Sequence, residues 1–284
     1  MKGTHSRRMN KIKGALRGNT QLSMGLSLLF IVFALAVLAG PLSTHDPYTL
    51  GDDLLQPPSS THWLGTDGLG RDVYSMILYG ARTSLAVGIV AAMISAVIGV
   101  FVGGFSGYLG GRFDLIVSEI INIFMMIPTF FLVLIIIALF GSSLLNVMII
   151  IGLTSWPSNA RLMRAQALSL RERTFVRAAA AIGENKPQIV FRYIIPNGIF
   201  PVIANTTMGV GGAILTEASL SFLGLGDPNI ISWGQMINQG RGYLISGWWV
   251  STFSGLAVLL IVLLFYLIGD GANALINPKS SPKA

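Results

Sequence analysis

The sequence predicts an all-α polytopic membrane protein with six transmembrane helices. Of the 284 residues, 52% are hydrophobic and only 11% are charged, whereas an ordinary soluble domain carries about 25% charged residues. The mean hydropathy of +0.68 agrees with this composition. The few charges are also absent from long stretches of the chain, as expected for helices that cross a bilayer.

Five uncharged stretches predict the positions of the six spans. A transmembrane helix needs about 20 apolar residues, so each stretch accommodates one helix, except the 41 residues of 120–160, which are long enough for two. A turn at 141–143 (Gly-Ser-Ser) is expected to separate these two spans. The stretches are 18–45, 83–111, 120–160, 193–216 and 242–269.

The spans divide the chain into membrane and soluble segments. The first span is expected to remain in the protein, because its apolar run exceeds the roughly 7–15 residues of a signal peptide. The chain is predicted to begin with a cytoplasmic arm at 1–20, the first transmembrane helix at 21–41 and an extracytoplasmic loop with a short helix at 42–80. A core of five transmembrane helices follows at 81–276 and includes a cytoplasmic loop at 158–196. A cytoplasmic tail is predicted at 277–284.

The loop charges predict the orientation. With both termini in the cytoplasm, sixteen of the nineteen Lys and Arg residues lie inside, and only Arg71, Arg82 and Arg241 lie outside. Cytoplasmic loops of membrane proteins carry such an excess. The net charge of +7 therefore reflects topology, and we expect no nucleic-acid partner.

The composition also excludes several kinds of site. The chain has no cysteine, so it cannot form disulfides, thiolate metal sites or a cysteine nucleophile. Three histidines, His5, His45 and His62, leave little for a metal site, and we expect none. No Gly-Lys dipeptide is present, so there is no P-loop to hold nucleotide phosphates. We identify no catalytic residue.

The cytoplasmic segment 174–196 is predicted to form a rigid knob on the membrane surface. Alanines at 178–181 favour a helix, Gly183 a sharp turn and Pro187 the start of a second short helix. Small side chains let the backbone of another protein approach closely. The alternative is that the alanines are good helix formers and Gly183 is only a C-cap.

This segment resembles a pattern found in the permease subunits of prokaryotic ATP-binding cassette (ABC) importers. Their cytoplasmic loop has Glu-Ala-Ala, three residues, Gly, nine residues, Ile, one residue and Leu-Pro. Ala178, Ala179, Gly183 and Pro196 fall at this spacing. Arg177 stands in place of the Glu, which is similar to the peptide and nickel branch of the family.

Two departures and two further matches accompany this resemblance. Tyr193 and Ile195 replace the Ile and the Leu of the pattern. The segments 62–85 (HWLGTDGLGRDVYS, then GARTSL) and 217–234 (EASLSFLGLG, then SWG) look like the dipeptide, oligopeptide and nickel permeases, specifically the second of their two permease subunits. The resemblance covers residues 22–276.

The resemblance implies a type I ABC importer permease fold in the prokaryotic inner membrane, and transport by alternating access. It implies three kinds of partner beside membrane lipid: a homologous second permease subunit, two cytoplasmic ATPase subunits and an extracytoplasmic substrate-binding protein. ATP and Mg²⁺ would bind the ATPase subunits, so this chain would be a permease and not an enzyme, with no cofactor of its own. The substrate would be a dipeptide or oligopeptide, or alternatively nickel or an oligosaccharide.

The resemblance also implies which residues couple this chain to the ATPase subunits: Arg177, Ala178, Ala179, Gly183 and Pro196. We expect Gly183→Trp or Ala179→Arg to uncouple ATP hydrolysis from transport while the permease stays folded.

Three polar residues are candidates for the transport pathway. Glu119 and Asn122 lie one helical turn apart on the same face of the third span, and charges within membranes are costly and usually functional. Glu119 could instead cap the helix at the cytoplasmic interface. Glu217, at the outer end of the fifth span, is expected to face the pathway or the partner subunit.

Three charged residues of the outer loop have two interpretations. Asp67, Arg71 and Asp72 could contact the binding protein, or could pair among themselves and hold the loop. A secondary transporter driven by an ion gradient remains an alternative class, with only Glu119 and Glu217 available for a relay. A channel lacks any filter-like sequence.

Smaller features carry structural expectations. Pro128 is expected to kink the third span, and Trp248 and Trp249 to anchor the last span at the membrane interface. Small residues favour close helix contacts, and they form one predicted packing face at Gly99, Gly103, Gly104 and Gly107.

Overall fold

The computed structural model describes residues 19–276, and this part of the chain is all-α, as predicted, with no β-sheet. Residues 1–18 of the predicted arm and the predicted tail 277–284 lie outside the described residues. The helices are α1 (Thr20–Val37), α2 (Ala39–Leu42), α3 (Val73–Leu109), α4 (Gly111–Met126), α5 (Thr129–Phe140), α6 (Leu144–Arg171), α7 (Thr174–Ala181), α8 (Lys186–Ile189), α9 (Ile195–Gly198), α10 (Phe200–Phe222), α11 (Trp233–Gly240) and α12 (Trp248–Ile276). A π-helical turn, Val190–Ile194, joins α8 to α9.

The number of helices suited to a membrane is smaller than the predicted six. By length and composition, α1, α3 and α12 could each cross a bilayer, and two bent pairs of helices bring the number to five at most. The predicted fourth span lies in α6, which is 28 residues long. Polar residues near its middle (Ser155, Ser158 and Asn159) make it less apolar than the others. The count of six therefore stays a prediction.

Helix α3 lies at the centre of the bundle and packs closely along α6. Gly99, Gly103 and Gly107 face α6, and a Cβ atom at any of them would overlap atoms of that helix, most of them backbone. Gly104 lies beside this seam, where a Cβ would make only ordinary contacts of 3.6 Å or more. The predicted glycine packing face is confirmed at the other three positions.

The predicted third span is broken rather than gently kinked. Helices α4 and α5 meet at an angle of 85°. Ile127, between them, is extended (φ −87°, ψ 125°), because the residue before a proline is disfavoured in the helical conformation, and Pro128 follows it. The predicted turn after this span is confirmed, since α5 ends at Phe140 and Gly141 has a φ of +91°.

Irregular segments collect at one end of the bundle, which we call the outer end in line with the predicted orientation. Residues 43–72 contain no helix. The short helix expected within 42–80 is not a separate element, because the helical residues from Val73 onward are the first turns of α3. The opposite end, with α7 and α8, is called the inner end.

Two tryptophans join the outer segments to the bundle. Trp233 Nε1 donates to the Ile77 carbonyl (3.0 Å), and Trp249 Nε1 donates to the Thr66 carbonyl (2.9 Å). Trp249 is only 5% exposed, so its predicted role as an interfacial anchor is wrong. Its indole instead lies under the outer loop, where buried N–H groups need a partner. Trp248 is half exposed.

Candidate functional site

At the inner end, segment 174–184 forms a short helix that glycine terminates. Gly183 has a φ of +88°, in the left-handed region that favours glycine. Its N–H donates to the Ala180 carbonyl (3.2 Å), and the Glu184 N–H donates to the Ala179 carbonyl (3.1 Å). This pair of bonds is a Schellman motif. Gly183 is therefore a C-cap, and the cap gives α7 a defined end.

Helix α7 buries one face and exposes the other. Val176 and Ala179 are 1% and 4% exposed and belong to an inner core with Met163 and Ile189. Ala179 points into this core, so the long charged side chain of Ala179→Arg would disrupt the packing. The expectation that this variant leaves the fold intact is therefore wrong. The opposite face and the turn are exposed at Phe175, Arg177, Ala178, Ala181, Ile182 and Gly183.

The chain returns from α7 to the bundle through a turn that is held by side chains. The Tyr193 hydroxyl donates to Glu184 Oε1 (2.9 Å). Asn185 and Gln188 form a reciprocal capping box at the start of α8, which satisfies free N–H groups of the helix. Pro196 is exposed on α9. The predicted knob is thus a compact unit of α7, a turn and α8.

An ion pair connects the inner ends of α4 and α6. Arg164 donates from Nε to Asp114 Oδ1 (2.6 Å) and from Nη2 to Asp114 Oδ2 (2.7 Å). Ser106 Oγ also donates to Asp114 Oδ1. The pair fixes α4 to the helix that leads directly into α7.

A polar cavity of about 210 Å³ lies between α3, α6 and α10. At its centre Asn159 Nδ2 donates to Ser95 Oγ (3.0 Å), and Asn205 Nδ2 donates to Asn159 Oδ1 (2.9 Å). Hydroxyl and amide groups in an otherwise apolar bundle offer a passing solute hydrogen bonds without a fixed charge. The polar lining residues are Ser95, Ser155, Ser158, Asn159, Asn205, Thr206 and Thr216.

The predicted pathway residues lie elsewhere. Glu119 and Asn122 are exposed on α4 and do not line this cavity. Glu217 is 4% exposed, and its Oε1 accepts hydrogen bonds from Ser221 Oγ (2.7 Å) and Ser232 Oγ (2.8 Å). Because Ser232 is the N-cap of α11, Glu217 joins α10 to α11 inside the chain rather than facing a pathway.

The cavity residues could have been found in the sequence by a different signal. Ser155, Ser158 and Asn159 have the i, i+3, i+4 spacing of one helix face. They are neutral, so a pattern of intramembrane charges does not reveal them. Their partner Asn205 lies 46 positions away from Asn159, and nothing in the sequence pairs the two.

The three charged residues of the outer loop are bonded to other side chains of this chain, and Arg71 Nη2 also donates to Gln239 Oε1 of α11 (2.8 Å). Arg71 forms an ion pair with Asp67 (2.6 Å), and both side chains are largely buried. The Asp72 side chain is fully buried and accepts hydrogen bonds from His62 Nδ1 (2.9 Å) and from the N–H and hydroxyl of Ser75. Burial alone would raise the pKa of Asp72, but these hydrogen bonds lower it below its ordinary value. Asp67 and Arg71 therefore pair with each other, as one of the two interpretations predicts, whereas Asp72 bonds His62 and Ser75; contact with the binding protein stays a prediction.

Comparison with known proteins identifies the family. Residues 95–282 match the model of the family described as binding-protein-dependent transport system inner membrane component. The chain belongs to this family. It is therefore a permease of a binding-protein-dependent transport system, a multi-pass protein of the inner membrane that works with other subunits.

Curated relatives of this permease extend over nearly its whole length. It is 39% identical to the dipeptide transport system permease protein DppC of Alkalihalophilus pseudofirmus, over 93% of this chain and 88% of that protein. It is 38% identical to the probable D,D-dipeptide transport system permease protein DdpC of Escherichia coli, over 96% of this chain and 92% of the relative. The glutathione transport system permease protein GsiD of Pectobacterium atrosepticum is also 38% identical, over 93% of this chain and 88% of its own length.

A solved structure supports the fold. The permease resembles a chain of the MetNI methionine ABC transporter in an inward-facing conformation, with a TM-score of 0.57 and 23% identity. The match covers 70% of this chain and 96% of that chain. The predicted type I ABC importer permease fold is confirmed.

Proposed function

We propose that this permease imports dipeptides or oligopeptides by alternating access, driven by ATP hydrolysis on two partner ATPase subunits. The observation that carries the substrate class is the 39% identity with a dipeptide transport permease over 93% of the chain. The name of another relative includes glutathione, which is itself a short peptide. Nickel or an oligosaccharide would be the alternative substrate.

The exposed face of α7 is the proposed docking surface for an ATPase subunit. Ile182 is 79% exposed and Phe175 is 44% exposed, and Arg177 and Ala178 lie exposed between them. Apolar and basic groups on a compact helix suit a protein partner. Movement of α7 would reach the bundle through α6, which the Asp114–Arg164 pair holds against α4.

The proposed coupling is tested by an exposed substitution rather than by the buried Ala179. Ala178→Trp should leave assembly of the folded permease intact but reduce peptide uptake at least tenfold in proteoliposomes that contain the whole transporter, because the indole would hold the ATPase subunit away. Thr61→Trp, which adds the same side chain to the exposed outer loop, is the matched control. Normal uptake and normal peptide-stimulated ATPase activity with Ala178→Trp would contradict the proposed surface.

The polar cavity between α3, α6 and α10 is the proposed contribution of this chain to the transport path. The chain has no cysteine, so single cysteines can be introduced directly. A water-soluble maleimide should label Ser158→Cys, on the cavity, and peptide substrate should slow the reaction. Leu153→Cys, exposed on an apolar face of the same helix, should react much more slowly. Equal labelling of both positions would contradict the path.

Energy source and orientation complete the proposal. Uptake should require ATP and co-produced ATPase subunits, whereas a secondary transporter would work with an ion gradient alone. We propose that both termini are cytoplasmic. Thr61→Cys should then react with an impermeant maleimide added outside intact cells or spheroplasts, and a cysteine at Ala178 should react only after the membrane is opened.

A further inference from the structure

Two of the three histidines meet in the outer loop beside a buried carboxylate. One ligand atom from each of His45, His62 and Asp72 can be chosen so that all three lie within 4.8 Å of one another. The imidazole rings of His45 and His62 are 4.6 Å apart between centroids and tilted by 30°. They lie beside a cavity of about 340 Å³ that Asp46 and Asp53 also line.

The Nδ1 atom of each ring lies close to the Asp72 carboxylate. His62 Nδ1 donates to Asp72 Oδ1 (2.9 Å). Thr44 Oγ1 donates to Asp72 Oδ2 (3.1 Å) and therefore accepts from His45 Nδ1 (3.1 Å). His45 Nδ1 also lies 3.8 Å from Asp72 Oδ1. An ion bound among these three atoms would replace the hydrogen bonds, because a metal-ligating imidazole is neutral and binds through its unprotonated nitrogen, and each ring would then carry its proton on Nε2.

From this geometry we propose that His45, His62 and Asp72 bind one divalent transition-metal ion of the zinc class. Two imidazoles with a carboxylate suit zinc and its neighbours, whereas Mg²⁺ and Ca²⁺ take oxygen ligands. Bonds of about 2.0–2.1 Å to two nitrogens at a tetrahedral ion bring those nitrogens to roughly 3.4 Å from each other. The cluster needs to close by no more than about 1.5 Å to reach this geometry. The His45 side chain is 45% exposed and can make that movement.

The ion would join three segments that are far apart in the sequence. His45 follows α2 at the end of the first span, His62 lies within the outer loop, and Asp72 is the N-cap of α3. A bound ion would therefore hold the outer loop to the ends of two helices. The expectation that three histidines leave no metal site is revised on this point, because the fold brings two of them together.

The test is zinc binding by the full-length chain, purified in detergent through a tag without histidines and stripped with EDTA. Isothermal titration should show one Zn²⁺ per chain, and elemental analysis after desalting should recover it. Zinc should raise the apparent melting temperature, because the ion binds the folded state. Mg²⁺ and Ca²⁺ at the same concentration should not raise it.

Variants assign the ligands. His45→Ala, which removes a half-exposed ring, should lower the affinity for zinc at least tenfold without affecting folding. Asp72→Asn should lower it at least tenfold, because a neutral amide is a weaker metal ligand than a carboxylate, while Asn still serves as the N-cap of α3. Thr49→Val, which lines the same cavity, is the control, and His5 remains in every variant. The proposal would be overturned by any of three results. These are an unchanged zinc affinity in His45→Ala, recovery of fewer than one zinc ion per ten wild-type chains, and an equal rise in melting temperature with Mg²⁺.

Discussion

Substitution of alanine for two adjacent glycines of α3 should have opposite effects on stability. A Cβ atom at Gly103 would overlap the carbonyl oxygen of Ala160 on α6, and would lie 2.9 Å from the Arg164 backbone nitrogen. A Cβ at Gly104 would lie 3.6 Å or more from its neighbours, which are side-chain atoms of Ile195 and Met163. The two positions share the same helix and differ only in what the added methyl meets.

The magnitudes follow from this difference. At Gly103 the obstacle is backbone, which cannot rotate away, so overpacking should cost about 1–3 kcal/mol. Replacing a helical glycine that has room should instead stabilise the fold by about 0.4–1 kcal/mol. The two variants should therefore differ by roughly 2 kcal/mol, since the backbone gain also applies at Gly103. For a chain of this size that difference corresponds to roughly 4–8 °C in apparent melting temperature.

Thermal scans of the purified variants in one detergent measure this difference. Intrinsic tryptophan fluorescence is a suitable signal because the chain has five tryptophans. All scans should use the same heating rate, because membrane proteins commonly unfold irreversibly and the midpoint then depends on that rate. Gly103→Ala should melt below wild type, and Gly104→Ala at or above it. Equal midpoints for the two variants would refute the assignment of the α3–α6 contact to backbone atoms.

Two further outcomes follow from the polar contacts. Asp114→Asn should lower the free energy of unfolding by about 1–3 kcal/mol, discounted for the partial exposure of Arg164, and an unchanged melting temperature would contradict it. Glu217→Ala should cost about 1–3 kcal/mol, because Ser221 and Ser232 lose their acceptor, whereas Glu217→Gln should cost less; equal losses in urea unfolding would argue against the hydrogen-bonded role.

The residues of the inner knob illustrate what the sequence could predict. The alanine run and Gly183 predict a helix and its stop because both effects act within a few residues. The break near Gly141 and the interruption at Pro128 are local in the same way. The sharpness of the bend at Pro128 was not predictable, because its angle depends on the neighbours against which α4 and α5 pack.

The candidate pathway residues illustrate what the sequence could not predict. Charges in apolar stretches point to Glu119 and Glu217, yet Glu119 lies exposed on α4 and Glu217 joins two helices inside the chain. The polar cavity is instead built from neutral groups such as Asn159 and Asn205, which are distant in the sequence. A charge is visible in a composition profile, whereas a hydrogen bond between two amides exists only after the helices have packed.

The sequence by itself determined the class of protein, the positions of most helices and the family. These properties depend on apolar run length, on local helix and turn preferences and on short motifs, all of which are written along the chain. Only the tertiary structure decided which face of a helix is buried and which distant residues meet. It shows that Ala179 points inward, that Trp249 lies under the outer loop, and that His45 and His62 meet at Asp72. The reason is that burial and convergence arise from contacts between distant segments, and the energy of such contacts depends on packing that no local pattern encodes.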